Sequence, residues 1–574
     1  MSNIHPGLIL IATGLLALIL PSKIRQWVSL IGPALALAAL LGLKESSSMT
    51  MAFTDDITME LLKVDILAWA FGLVCAVISV IAGIYSFKGC GRAEKAAALI
   101  YAGSSMSVVF AGDWISLICF WELMAVSSCY LVWAGKTLQA RRACFRYLVM
   151  HFFGGNMLLG GALVVMMKSG MSIGLLTDAG SYGYWMVLIG VAVNGAIPPL
   201  HTWVPDAYPE ASPSGTVYMG SFTTKVAIYA LIRLFAGTEW LVIVGAIMAV
   251  LGACMALIEN DLRRLLSYHI VSQLGMMVAA LGTGSAAGID GATLHAMFNI
   301  LYKGVLLMGA GAIFVATGKR KISDLGGLAR KMPLVAVCFL IGSLSIAGMP
   351  FLNGFASKAL IMEALHGYTL AYWLVSIAGV GTWLSITLKI NYFVFFGKTD
   401  NDVKVEGVPA YMKIAMVIGA LLCVVTGILP SMMYQLMPGG TMAHPFAVDH
   451  ILEYIGLFIG ASIPFMVFIK KMAPHDMISL DFDWFYRKPL AFVIFGFSKL
   501  VNRFFGKWAD YYGRVVKLVQ TAMNNPGKVF TRAVSLREDD EDGEVEDERP
   551  VGEFMLVFVA FMAIAFLVAM AITT

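Results

Sequence analysis

About sixteen apolar segments divide this chain, each close to the ~20 residues that a helix needs to cross the hydrocarbon core of a bilayer. They run approximately over 6–22, 26–43, 61–87, 95–111, 114–134, 143–167, 182–202, 212–235, 238–258, 264–283, 290–317, 333–366, 369–396, 411–434, 450–470 and 553–573. In lipid a segment of this length bonds its own backbone only as a helix, so the pattern predicts an all-α, polytopic membrane protein. Charged residues make up 13% of the 574 and hydrophobic ones 59%, against roughly 25% charged in soluble domains.

The loop charges support the same count. One set of alternate connections holds Lys23 and Arg25; Lys88, Arg92 and Lys95; Lys136, Arg141 and Arg142; and Arg263 and Arg264. That set continues with Lys319 to Lys321, Arg330 and Lys331; Lys398 and Lys404; and Lys470 and Lys471. The other set holds little beyond Lys44, Lys63, Lys168 and the acidic Asp55, Asp56, Asp178 and Asp290. Basic loops stay in the cytoplasm. The expectation is a multi-pass protein of the cell (inner) membrane with both termini on the non-cytoplasmic side.

The eight cysteines are scattered through apolar runs without CxxC spacing, which suggests neither an iron–sulfur cluster nor a structural zinc. No cofactor or metal is expected, and no nucleic-acid partner. From about Pro489 to Gln520 the pattern changes. Lys499, Arg503, Lys507, Arg514 and Lys517 share one helical face, and Phe504, Trp508, Tyr511, Val515 and Leu518 the opposite one. Such a helix lies in the membrane interface. An acidic linker from Glu538 to Glu548 follows, and then the last span.

An ionisable residue inside a span costs several kcal/mol unless it faces a partner or water, so it is a functional candidate by default. Glu122, Lys225 and Lys358 sit well inside spans, and His295 and Lys303 lie eight residues apart on another. Two spans carry helix breakers beside a titratable group: Pro198-Pro199 before His201, and Gly348-Met349-Pro350 before Lys358. Breaks at membrane depth are tolerated where they are buried or line a watery cavity, and in transporters they mark ion sites. A buried amine, neutral when desolvated and charged beside a carboxylate, can pass a proton as neighbouring charges change.

At these residues the chain resembles a known family. The run Pro199-Leu200-His201-Thr202-Trp203-Val204-Pro205-Asp206-Ala207-Tyr208-Pro209 is similar to the PxHxWLPDAxP signature of antiporter-like proton-channel subunits. These occur in respiratory complex I, Mrp-type cation/proton antiporters and membrane-bound hydrogenases. Glu259 to Tyr268 is similar to the DxKRxLAYS segment, and Gly354-Phe355-Ala356-Ser357-Lys358 matches GFxSK. The resemblance covers roughly residues 60–440 and fits the Mrp D-type subunits best.

It implies a core of about fourteen helices with two inverted five-helix repeats, each with a broken helix. The implied divisions are N-terminal helices 1–94, repeats 95–235 and 236–396, C-terminal core helices 397–475, a lateral amphipathic helix within 476–535, the acidic linker 536–552 and a final span 553–574. Glu122, Lys225, His295, Lys303 and Lys358 become the proton relay. Where the family has a lysine seven residues before the motif histidine, this chain has Asn194, and another family histidine position is Asn299. Arg146 or His151 is therefore expected to partner Glu122.

The implied function is a proton-translocating subunit of a multisubunit cation/proton (Na+/H+) antiporter. Its partners would be other membrane subunits, the bilayer, and protons and Na+ as the transported ions. Alternatives are a membrane-arm subunit of an NADH-quinone oxidoreductase or hydrogenase, whose redox chemistry would reside in partners, or the membrane subunit of an inorganic-carbon uptake system.

Overall fold

The computed structural model describes residues 4–55, 57–397, 403–475, 481–485, 488–489 and 491–524. The expected acidic linker and final span lie outside the described residues. Two compact units divide the chain, Met1–Ser479 and Leu480–Thr574.

Unit one begins with α1 (Pro6–Ile19) and α2 (Ser22–Leu41), followed by an antiparallel hairpin of β1 (Ser48–Ala52) and β2 (Thr58–Lys63). The sequence pattern placed residues 61–63 in a span. Instead they end β2, because Asp65 caps the next helix by accepting from Ala68 N at 2.9 Å. Next come α3 (Ile66–Tyr85), α4 (Arg92–Phe110), α5 (Trp114–Trp133) and α6 (Leu138–Ser169). Then α7 (Tyr182–Asn194) stops short, and α8 (Trp203–Ala207), α9 (Pro213–Ser221) and α10 (Thr223–Phe235) follow.

The chain continues with α11 (Trp240–Ile258), α12 (Leu262–Gly282), α13 (Ala286–Thr317), short α14 (Leu328–Lys331), α15 (Pro333–Ala347) and α16 (Asn353–Ala364). After α17 (Thr369–Thr382) the same helix widens into a π-helix over Trp383–Phe396. The unit closes with α18 (Ala410–Ile428), short α19 (Pro430–Tyr434) and α20 (Val448–Val467). Ten helices in this unit are long and apolar enough to cross a membrane, among the described residues.

Both expected interruptions are present. Pro198 and Pro199 cannot continue α7, and the chain re-enters helix only at Trp203. At the second, Gly348 takes a left-handed φ of 90° that ends α15, and Pro350 keeps the helix from resuming before Asn353. A third break has no counterpart in the sequence pattern. At Phe222 the path jogs between α9 and α10, and the freed amide of Thr223 donates to the Tyr101 hydroxyl at 2.9 Å. A side chain from α4 thus satisfies a backbone group that a helix break would otherwise strand.

Small residues let the helices close on one another. A Cβ on Gly245 or Gly252 of α11 would strike the backbone of α12, and Gly275 of α12 meets α11 in the same way.

The second unit holds α21 (Asp483–Phe485) and α22 (Ala491–Asn524). The 34 residues of α22 reach about 51 Å. Its Phe492, Phe504, Trp508 and Tyr511 are exposed.

Candidate functional site

Every lysine singled out by its position in a span is buried, and none of them is bonded to a carboxylate among the described residues. Lys225, at the first turn of α10, donates to the Gly220 carbonyl at 2.8 Å and to Thr224 Oγ1 at 3.3 Å. Gly220 lies in the last turn of α9, where carbonyls lose their helical partners. Lys358 repeats the device across the second break, donating to Ile346 O at 2.8 Å and Ala347 O at 2.9 Å, the final carbonyls of α15. Lys303 donates to Leu266 O of α12 at 2.9 Å. Helix C-termini carry about half a negative charge, so a carbonyl end can hold an ammonium without an acidic side chain.

His295 and Lys303 of α13 turn toward α12. His295 Nδ1 meets Ser357 Oγ at 2.8 Å, and Nε2 lies 3.2 Å from Gln273 Oε1 and 3.3 Å from the Tyr302 hydroxyl. Asn299 donates to the Tyr302 hydroxyl at 3.0 Å. Ser357 precedes Lys358 in the chain, and its hydroxyl also lies 3.2 Å from the Gly354 carbonyl. Lys225 and Lys358 act electrostatically on His295, and Lys225 on Lys303. Lys358 also borders a cavity of about 510 Å³ that Glu363, His366, His444, His450 and Glu453 share.

The Glu122 region is organised differently. Its carboxylate lies so close to Gly155 of α6 that a Cβ there would run into it. Among the described residues Glu122 makes no hydrogen bond or ion pair. The expected partner Arg146 is engaged elsewhere, binding Asp206 through Nε at 2.7 Å and Nη2 at 2.8 Å. The interruption after α7 carries Asp206 back over α6, and a two-point pair of this kind holds the guanidinium firmly.

His151, the other candidate, is buried between Tyr147 and Trp203, with ring centroids 4.1 and 4.6 Å away. It faces the Asn194 amide without closing a hydrogen bond, and no bond joins it to Glu122 among the described residues. His201 is fully buried in the interrupted stretch between α7 and α8.

Two further buried groups escape a reading of the sequence for spans and motifs. His269 of α12 pairs with Ser385 Oγ at 2.7 Å, and Lys389 of the π-helix donates to Leu257 O at 2.7 Å and Glu259 O at 2.8 Å. The rule that marks Lys225 applies to both, since each is ionisable and lies inside an apolar span. No group of His, Cys, Asp and Glu among the described residues is placed to hold a metal ion.

The fold and these groups define a multi-pass helical membrane protein with ionisable side chains buried along its core. Residues 111–385 match the family described as NADH:quinone oxidoreductase/Mrp antiporter, TM. Over those residues, just under half of the chain, it is similar to the antiporter-like membrane subunits of that family. It is 29% identical over 465 residues to the A/B-type subunit of a probable K(+)/H(+) antiporter of Rhizobium meliloti, covering 73% of this chain and 46% of that one. It is 31% identical over 309 residues to the D-type subunit of the Na(+)/H(+) antiporter of Alkalihalophilus pseudofirmus, covering 50% of this chain and 62% of that one. The chain thus spans about half to three fifths of these relatives. A chain in the structure of the Mrp complex from Dietzia sp. shares the fold at TM-score 0.69 and 20% identity, over 80% of this chain and all of that one.

Proposed function

We propose that the chain carries protons across the membrane as a D-type member of a multisubunit cation/proton antiporter. The observation that carries the reading is the set of buried amines on backbone carbonyls, Lys225, Lys303 and Lys358, together with the buried His295 bonded to Ser357. An amine solvated only by carbonyls and one hydroxyl sheds its proton far more readily than one paired with a carboxylate. Protons would enter near Glu122 and Lys225, cross by Lys303 and His295, and leave from Lys358 into the cavity. Exchange of Na+ is part of the proposal and is supported by the relatives' names. The 31% identity to a D-type relative supports that assignment, while the match to an A/B-type relative shows that the family resemblance extends beyond it.

The test is proton flux in everted vesicles that carry the full-length chain with its native partners. Lys225→Ala and Lys358→Ala should each abolish ion-coupled flux while the chain still accumulates. Wild-type flux in both would end the reading. The family description also names NADH:quinone oxidoreductase, which supports a second reading as the membrane arm of a redox complex. Co-purification with flavin- or cluster-bearing subunits would favour it.

We further propose that α22 clamps neighbouring subunits. Truncation before residue 480 should then release partner subunits; loss of anionic-lipid binding alone would speak against the clamp.

A further inference from the structure

We propose that Lys389 and His269 form a second proton inlet, one that reaches the His295–Lys358 line from the end of the fold where α11 stops and α12 begins. The inference rests on the proton-carrying reading and adds a leg that joins the Glu122–Lys225 leg at Lys303; flux needs both legs, so the loss of either one stops it.

Four observations converge. Lys389 is 2% exposed, and its amine sits on the carbonyls of Leu257 and Glu259, at the very end of α11. The Glu259 carboxylate is close by on the same turn and is partly exposed, with Arg264 Nε 3.3 Å away. Ser385 lies four residues before Lys389 on the π-helix and bonds the His269 ring. A π-helical stretch of this kind is rare and is frequent at functional sites. Finally, His269 Nδ1 is buried with no hydrogen-bond partner, and Lys303, Lys358 and Lys389 all act on this ring electrostatically.

The face of α12 explains how the line continues. Leu266, His269 and Gln273 follow at spacings of three and four residues, which puts them on one stripe of the helix. That stripe meets Lys303 at Leu266, Ser385 at His269 and His295 at Gln273. One helix therefore joins the Lys389 branch to the His295–Ser357–Lys358 branch. The two branches also end apart. The cavity that Lys358 borders reaches along α17 from Tyr372 to Val380, and Lys389 lies nine residues further on, beyond the start of the π-helix.

The chemistry is proton transfer alone. The Lys389 ammonium gives up a proton and is reprotonated from solvent at Glu259. The proton passes to Ser385 Oγ as Ser385, turning its hydroxyl away from the Gly381 carbonyl, gives its own to His269 Nε2, and His269 releases the proton on Nδ1 to the Lys303 amine once that amine has passed its own proton on. Each step breaks one N–H or O–H bond and forms another. Groups one turn apart on a helix are about 5–6 Å from each other, a gap that one water closes.

Arginine discriminates this role from a structural one. Lys389→Arg keeps the charge and donors for both carbonyls, but a guanidinium does not give up its proton. In everted vesicles holding the full-length chain and its partners, we expect Lys389→Arg to lower proton flux at least ten-fold with the chain still present at wild-type level. Wild-type flux in Lys389→Arg overturns the inlet. If that variant fails to accumulate, His269→Gln decides: loss of flux supports the inlet, and normal flux overturns it. Lys358→Ala separates the two readings. Loss of flux there, with Lys389→Arg and His269→Gln normal, defeats the inlet and spares the proton-carrying function. Normal flux in Lys225→Ala and Lys358→Ala defeats that function itself.

Discussion

Residues 95–235 and 236–396 each hold buried ionisable groups, yet they satisfy them in different ways. In the later region His295 is bonded to Ser357, Gln273 and Tyr302, and Lys303 and Lys358 sit on carbonyls, so each of these groups has a partner. In the earlier region His151 and Asn194 face one another unbonded, Glu122 rests against Gly155, and Arg146 is held by Asp206. A buried polar group without a partner costs about 1–3 kcal/mol, and among the described residues both regions keep such groups: His151 and Asn194 in the earlier one, His269 Nδ1, Gln273 Nε2 and Asn299 Oδ1 in the later. The contrast teaches that the cations nearest Asn194 do not turn to Glu122: Arg146 goes to Asp206, and His151 makes no bond to the carboxylate among the described residues.

That comparison can be broken or sharpened by substitution. The largest effect is expected from Gln273→Leu, which removes the α12 acceptor of His295 and should lower proton flux at least ten-fold. Asn194→Leu, in the unbonded region, should change flux less than two-fold in the same vesicle assay. Equal losses in the two variants would erase the distinction between the regions. Gly155→Ala places a methyl against the Glu122 carboxylate and should reduce flux several-fold without lowering chain abundance. An unchanged rate would show that Glu122 works equally well from another position.

Stability changes come next. Asp290, fully buried, accepts from Gly439 N at 2.6 Å and Thr441 N at 2.8 Å and so ties α13 to the loop before α20. Asp290→Asn weakens two charge-assisted bonds and should cost about 1.5–3 kcal/mol, read as a lower Tm of the purified protein.

The smallest effect concerns Asp65, just ahead of α3, which binds Arg233 through both of its oxygens. Burial pushes its carboxyl up, but the hydrogen bond and charge of Arg233 outweigh this and hold it below the usual carboxylate range. The pair's contribution is therefore present above the ordinary carboxylate pKa and is lost as pH falls through the lower folded value. Because the pair is partly exposed, Asp65→Asn should cost only about 1 kcal/mol at neutral pH. The Tm gap from wild type should narrow at low pH, and a constant gap would show that the pair adds nothing.

Much of the fold was legible because lipid imposes one rule on every span. Fifteen of the sixteen apolar segments fall on helices of the described residues, and Pro198-Pro199 and Gly348 with Pro350 announced two breaks. The break at Phe222 carried no such mark, since the group that stabilises it, the Tyr101 hydroxyl, comes from a helix more than a hundred residues away. His269 and Lys389 were readable by the same criterion as Lys225, but no motif or helix breaker drew attention to either.

By itself the sequence determined that the chain is a bundle of apolar helices with a handful of ionisable groups at membrane depth, because the cost of burying a charge makes each of them visible one residue at a time. Only the tertiary structure decided who faces whom. Arg146 goes to Asp206, Lys225 and Lys358 go to the carbonyl ends of broken helices, and α12 presents Leu266, His269 and Gln273 on one face. Backbone carbonyls are the same in every sequence, so a site built from them becomes visible only when the helices are packed.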